Sequence, residues 1–333
     1  MLDTPCSCLA IFVCRGYFIT KFIIMTSRLN NLRLIFRNGL FSNKKRAQPL
    51  SHAPSKTMFN FYYSAISLVL SGSVLCASLR IPYLREKFVD DRFFVLSLFA
   101  VAYEIEDSGL YDPGLTTIQL LVGLPPAHFG AQYERFERYF KRGGVEFEFR
   151  EKEFRINITE VTAYPQAFAA AMPVYGHISA YPKVMVIDVG GFTADYLLIR
   201  NGQADLSVCD SLEHGVIIMY NQISARVNSD HDILLDESDI DAILKGGHSN
   251  FGEDVKRIVN ETARVFVSDL FGKLRERGID LRSGRTVFVG GGSILLRRQI
   301  EASGKVASPI FVDRISANAK GYELLYREAK ARG

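Results

Sequence analysis

Cysteine is scarce in this 333-residue chain: Cys6, Cys8, Cys14 and Cys76 fall before residue 80, which leaves Cys209 alone in the remainder. That scarcity excludes a disulfide scaffold and suits a reducing cytoplasm. The early cysteines also lack the paired spacing and histidine partners of a structural zinc site. A broad positive field is missing as well. The formal charge is +4, but residues 1–60 hold nine basic side chains against the single acid Asp3, so taking that +8 away leaves the rest of the chain at about −4. A mildly acidic body supplies no electrostatic footprint for a phosphodiester backbone, which argues against direct nucleic-acid binding by the main fold. Gly-Lys-Ser/Thr does not occur, so a P-loop is excluded. No internal repeat and no low-complexity linker is visible, which removes solenoids and arrays.

What is present divides at about residue 87. Residues 1–87 form an atypical basic and apolar leader, read as either part of the fold or foreign to it. Within the leader, Met58–Leu79 runs 22 residues without a charge between Lys56 and Arg80. That length is enough to cross a bilayer core, but the serines, Asn60 and Gly72 suit a buried segment better. A membrane is not the expected partner.

From Asp90 the patterning becomes regular. Phe93 to Ile105 crowd a helix ending near Asp107, and Thr116–Gly123 reads as a strand stopped by Pro125-Pro126. Phe129–Phe140 then has helical spacing, and two alternating runs, Val145–Phe149 and Phe154–Ile158, predict a hairpin. Pro165 is expected to open an alanine-rich helix through Met172. The apolar strand Lys183–Asp188 is followed by Gly190-Gly191 and then by another strand, Thr193–Arg200. Asn201-Gly202 makes a tight turn into a third strand, Ala204–Cys209, before a helix over Glu213–Ile223. A dinucleotide fold needs its glycines to open a helix, so the strand after Gly191 excludes it. Further helices are predicted over Asp236–Leu244 and Glu253–Arg277, and a strand over Arg285–Val289. That strand enters Gly290-Gly291-Gly292-Ser293, from which a helix runs over Ile294–Ile300. A short strand, Ile310–Val312, and a helix over Ala317–Ala329 complete the chain.

A glycine turn between two strands of a meander leaves backbone N–H groups able to hold phosphate oxygens. Gly190 and Gly191 permit that approach. Asp188 at the strand end is placed to hold hydrated Mg²⁺ or orient a water, with Thr193 adding a hydroxyl and Asp195 a second carboxylate. Gly290, Gly291 and Gly292 have no side chains to keep a base or sugar from the backbone, although a simple strand-to-helix turn explains them equally well.

These residues resemble the actin-like ATPases, and within them the plasmid filament proteins of the ParM/StbA kind. Asp188–Asp195 resembles the second phosphate motif, Val289–Ser293 the adenosine motif, and Ser211–Val216, with Gly215, the segment that touches nucleotide after the meander. Asn318–Leu325 is similar to the closing helix of plasmid-type members, and Asp90–Phe94, Gly123–Pro126 and Tyr164–Gln166 also fit. The resemblance implies an α/β fold of the actin-like, ribonuclease-H-like kind in two domains, the first incomplete. Residues 88–182 would be the remainder of the first domain, 183–312 the second, and 313–333 a helix returning to the first. It implies ATP and Mg²⁺ as ligands, with Asp188 and Gln166 in catalysis and Gln166 orienting the attacking water. It also implies self-assembly into filaments and a DNA-binding adaptor as partner in plasmid or phage segregation. The family's first phosphate motif has no counterpart beyond a faint likeness in Phe12–Lys21, where Cys14 and Arg15 replace the acid and glycine. A small-molecule kinase or phosphatase of the same superfamily, or a non-catalytic remnant, are the alternative readings.

Overall fold

The computed structural model describes residues 91–107, 109 and 111–332, together with three short strands, β1 (Cys8–Ala10), β2 (Arg33–Phe36) and β3 (Ser73–Leu75). The segment Phe12–Lys21, and Met58–Leu79 apart from β3, lie outside the described residues. By contact density the chain forms two compact units. The first comprises residues 1–11, 18–121 and 134–162, and the second 12–17, 122–133 and 163–333. These divisions fall elsewhere than residues 182 and 312, and the last helix belongs with the second unit.

The first unit is organised on a six-stranded sheet. α1 (Arg92–Asp107), β4 (Leu115–Leu124), α2 (Pro126–Phe140), β5 (Val145–Phe149) and β6 (Lys152–Pro165) follow in sequence, and the sheet order is β1-β4-β6-β5-β2-β3. β1 lies parallel to β4, with Leu9 opposite Leu120, and β2 lies antiparallel to β5. The strands from the leader therefore join this sheet. Alternation in β5 and β6 buries Phe147, Phe149, Phe154 and Ile156. Aromatic rings dominate this core, with Phe99 edge-on to Phe149 at 5.9 Å and Phe136 edge-on to Phe140 at 5.0 Å. Arg142 covers Phe94 at 3.9 Å while pairing with Asp91, so its guanidinium closes the core edge as a cation over a ring.

The second unit continues with α3 (Phe168–Ala171), a 3₁₀ turn over Met172–Val174 and α4 (Tyr175–Ile178). β7 (Lys183–Val189), β8 (Ala194–Arg200) and β9 (Gln203–Leu212) lead into α5 (Val216–His231), α6 (Glu237–Lys245) and α7 (Glu253–Glu276). β10 (Arg285–Val289), α8 (Gly291–Leu295), α9 (Arg297–Ala302), β11 (Ser308–Phe311) and α10 (Ala317–Arg332) complete it. The sheet order is β11-β10-β7-β8-β9. β10 runs parallel to both β7 and β11, and β7, β8 and β9 form an antiparallel meander. Central strands of parallel type must be covered on both faces, which is why KVMVIDV and RTVFV read as apolar runs without alternation. One face packs Ile187 and Phe288 against Met219, Ile223, Val259 and Phe266 of α5 and α7. The other packs Val184, Val186 and Val287 against Ala167, Ala170, Ala171 and Ala317.

Two expectations are corrected here. Pro165 ends β6 rather than opening a helix, and the alanine-rich stretch breaks into three short pieces. Ala167 sits at φ 62, outside the right-handed helical region, and Pro173 interrupts the next turn. The helix after the triple glycine starts earlier than expected, at Gly291, and is split at Leu296. Among the described residues no helix is long and apolar enough to cross a membrane.

Candidate nucleotide site

β7 ends on Asp188 and Val189, and β8 begins on Ala194 and Asp195, so the cross-strand register puts Asp188 directly opposite Asp195. Residues 190–193 form the connecting turn, closed by Gly190 N–H donating to Thr193 C=O at 2.8 Å. Its carbonyls have a defined destination. Phe192 C=O accepts from Gly215 N–H (3.1 Å), Gly190 C=O from Val216 N–H (3.1 Å) and Gly191 C=O from Ile217 N–H (3.0 Å). The first amides of α5, which no helix can satisfy internally, are thus capped by the turn. In a trans peptide the N–H points opposite to the C=O, and no cis peptide is present among the described residues. Three carbonyls aimed at α5 therefore turn the N–H groups of Gly191, Phe192 and Thr193 to the side away from it, as an anion nest requires.

Close approach makes the capping possible. A Cβ at Gly215 would lie 2.2 Å from Gly191 O and 2.4 Å from Phe192 C, so only glycine lets α5 start against the turn. Gly215 is thereby used inside the fold, as spacer and as donor to Phe192. At Gly290, φ is 86 and a Cβ would fall 2.2 Å from Asp188 Oδ1. The space at Gly292 is likewise filled by Val189 and Val216. These two glycines seat β10 and α8 against the end of β7, and a strand-to-helix packing role accounts for them. Gly291 stands at the first turn of α8. Ser293 is fully buried, and its hydroxyl makes no hydrogen bond among the described residues.

The electrostatics centre on Asp188, 6% exposed. Its Oδ2 accepts from Asn318 Nδ2 at 3.1 Å, and no lysine or arginine among the described residues forms an ion pair with it. Burial, reinforced by the Asp195 carboxylate, pushes the Asp188 carboxyl from its ordinary 3.8 up to about 7, against the opposing pull of the Asn318 hydrogen bond. Asp195, also buried, accepts from Ser211 Oγ on β9. A buried pair of carboxylates facing each other, one held by a neutral amide, is a donor set that suits a divalent cation and its water shell.

Gln166 lies in the turn after β6, 1% exposed, so it is not a solvated helix residue. Its Nε2 donates to Gly123 C=O at 3.1 Å and its backbone N–H to Leu124 C=O at 2.8 Å. The structure ties this turn to Asp188 through Asn318, whose Oδ1 accepts from Ala167 N–H at 3.2 Å. Sequence reasoning placed Asn318 in a closing-helix motif and gave it no role. It also gave none to His214, whose ring stacks on Phe266 at 4.4 Å and whose Nε2 lies 3.3 Å from Phe266 O. Burial holds the His214 ring below its ordinary titration range, so the neutral ring wedges the start of α5 against α7.

A protein family described as archaeal actin homologue, MreB-like, C-terminal matches residues 186–302. No curated relative matches the chain in sequence. Among solved structures, the actin-like protein Alp7A superposes with a TM-score of 0.61 at 16% identity, over 78% of this chain and 80% of that one. The archaeal actin homolog Ta0583 in complex with ADP gives a TM-score of 0.51 at 22% identity, over 70% of this chain and 78% of that one. A 15-stranded ParM filament from Clostridium botulinum gives 0.52 at 20% identity, over 72% and 76%. The chain has the actin-like fold.

Proposed function

We propose that the chain binds ATP with Mg²⁺ at the end of β7 and assembles head to tail into filaments. The observation that carries this reading is the turn Gly190–Thr193. The carbonyls of Gly190, Gly191 and Phe192 cap α5, and the N–H groups of Gly191, Phe192 and Thr193 face the other way, beside the paired carboxylates Asp188 and Asp195. Such a turn gives backbone donors for phosphate oxygens, and Asp188 gives a carboxylate to hold the hydrated cation. A bound Mg²⁺ supplies neutralising charge on the phosphates. Gln166, held by two hydrogen bonds to the end of β4, is fixed to orient a water through its amide. Gly290–Ser293 would border the adenosine.

Support for nucleotide comes from the ADP-bound archaeal relative, and support for filaments from the ParM assembly. Heterologous contacts that do not close produce open polymers, and a subunit that hydrolyses its nucleotide can time their disassembly. The acidic body of the chain fits a cytoplasmic filament that reaches plasmid or phage DNA through a basic adaptor rather than by itself. Full-length protein with ATP and Mg²⁺ is expected to scatter light and pellet above a critical concentration, and to remain in the supernatant without nucleotide. Protein that stays unassembled with ATP at every concentration contradicts the filament reading.

A further inference from the structure

One side chain joins the two proposed catalytic positions. Asn318, on the first turn of α10, is 4% exposed, and its amide spans two elements far apart in sequence. Oδ1 accepts from Ala167 N–H at 3.2 Å and Nδ2 donates to Asp188 Oδ2 at 3.1 Å. The orientation of this amide is not open to choice. A backbone N–H only donates, so the oxygen of Asn318 must face Ala167, and the nitrogen is left to face Asp188. The turn it holds is the strained one: Ala167 has φ 62 and directly follows Gln166. α10 is itself seated firmly, since Tyr322, one helical turn on, is fully buried and stacks on Tyr164 at 5.8 Å.

We infer that Asn318 is a positioning residue that locks the Asp188 carboxylate and the Gln166–Ala167 turn into one arrangement, so that cation and attacking water are presented together. This rests on the nucleotide reading for its use, but not for its geometry. A side chain with both a donor and an acceptor is required. Leucine offers neither, and aspartate offers only acceptors, one of which would then face the Asp188 carboxylate.

Two variants separate the bonds. Asn318→Ala removes both, while Asn318→Asp keeps the acceptor for Ala167 and removes the donor to Asp188. Crystal structures of the two variants read the first bond, and amide hydrogen exchange at Ala167 reads the second. The expected result is that the Asp188 side chain leaves its wild-type position in both variants. Exchange at Ala167 should rise at least about tenfold in Asn318→Ala and stay near wild type in Asn318→Asp. In ATP hydrolysis, kcat should fall at least about tenfold in Asn318→Ala with KM changed less than about threefold. An Asp188 side chain held in its wild-type position in both variants, or unchanged exchange at Ala167 in Asn318→Ala, overturns the inference. Wild-type protein that binds no ATP overturns the nucleotide reading, and the crystal structures and hydrogen exchange still decide the role of Asn318.

Discussion

Replacing Asp188 by asparagine is expected to make the nucleotide-free protein more stable at pH 8 while lowering its ATP hydrolysis by about 10²–10³-fold. The two effects share one cause. Asp188 is buried beside Asp195, and its carboxyl titrates at about 7 in the folded chain against 3.8 when unfolded. The folded state therefore holds the proton more tightly than the unfolded state. Stability falls as pH rises from about 4 to about 7, and above that window the full cost of keeping the ionised carboxyl buried persists. At one pKa unit per 1.36 kcal/mol that cost is on the order of 4 kcal/mol. Asparagine keeps the shape and removes the charge. The variant should gain roughly 5–10 °C in melting temperature at pH 8 and little at pH 4. The same removal strips the site of the carboxylate that would hold the cation. Thermal melts at the two pH values, together with a phosphate-release assay, check both halves. Equal melting temperatures at pH 8 would show that Asp188 carries no such burden.

The second large effect is steric. Gly215→Ala places a Cβ about 2.2 Å from the backbone oxygen of Gly191, where no side-chain movement relieves the clash. Gly215 itself has φ −93, a conformation open to any residue, so the penalty arises from contact alone. Either α5 or the turn must retreat. Overpacking of this kind costs about 1–3 kcal/mol, and the retreat breaks the bonds from residues 215–217 that orient the turn's N–H groups. Melting temperature should fall by about 2–4 °C and ATP affinity by more than about tenfold. Gly252→Ala, where a Cβ meets nothing within 4 Å, is the matched control and should change neither by much. Calorimetry and nucleotide titration on the pair would separate a local effect from loss of glycine as such.

The meander was legible in the sequence because its signals are local. Apolar runs set β7 and β10, Asn201-Gly202 set the tight turn with φ 50 and 79, and the stripe Val255, Ile258, Val259, Ala263, Val267 set the buried face of α7. Asp188 and Asp195 were legible as two carboxylates on either side of a short turn, while their position directly opposite one another came from the strand register. The relations that decide the chemistry were not local. Nothing near Gly190 announces that its carbonyl caps a helix beginning at Val216, and nothing near Asp188 announces Asn318, 130 residues away. Local propensity misled at residues 165–174, where alanines favour a helix. There the chain instead makes a γ-turn at Ala167 (φ 62, ψ −54), closed by Phe168 N–H donating to Gln166 C=O, to place Gln166 beneath Gly123. The triple glycine was ambiguous for a related reason, since the neighbours filling the space at Gly290 and Gly292 come from β7 and α5.

Hydrogen–deuterium exchange of the full chain with and without MgATP tests the central claim most directly. Slowed exchange on ATP addition, concentrated in Gly190–Asp195 and Gly290–Ser293 and lost in Asp188→Asn, is the predicted result. Exchange in those two segments that is unchanged at saturating MgATP would contradict it.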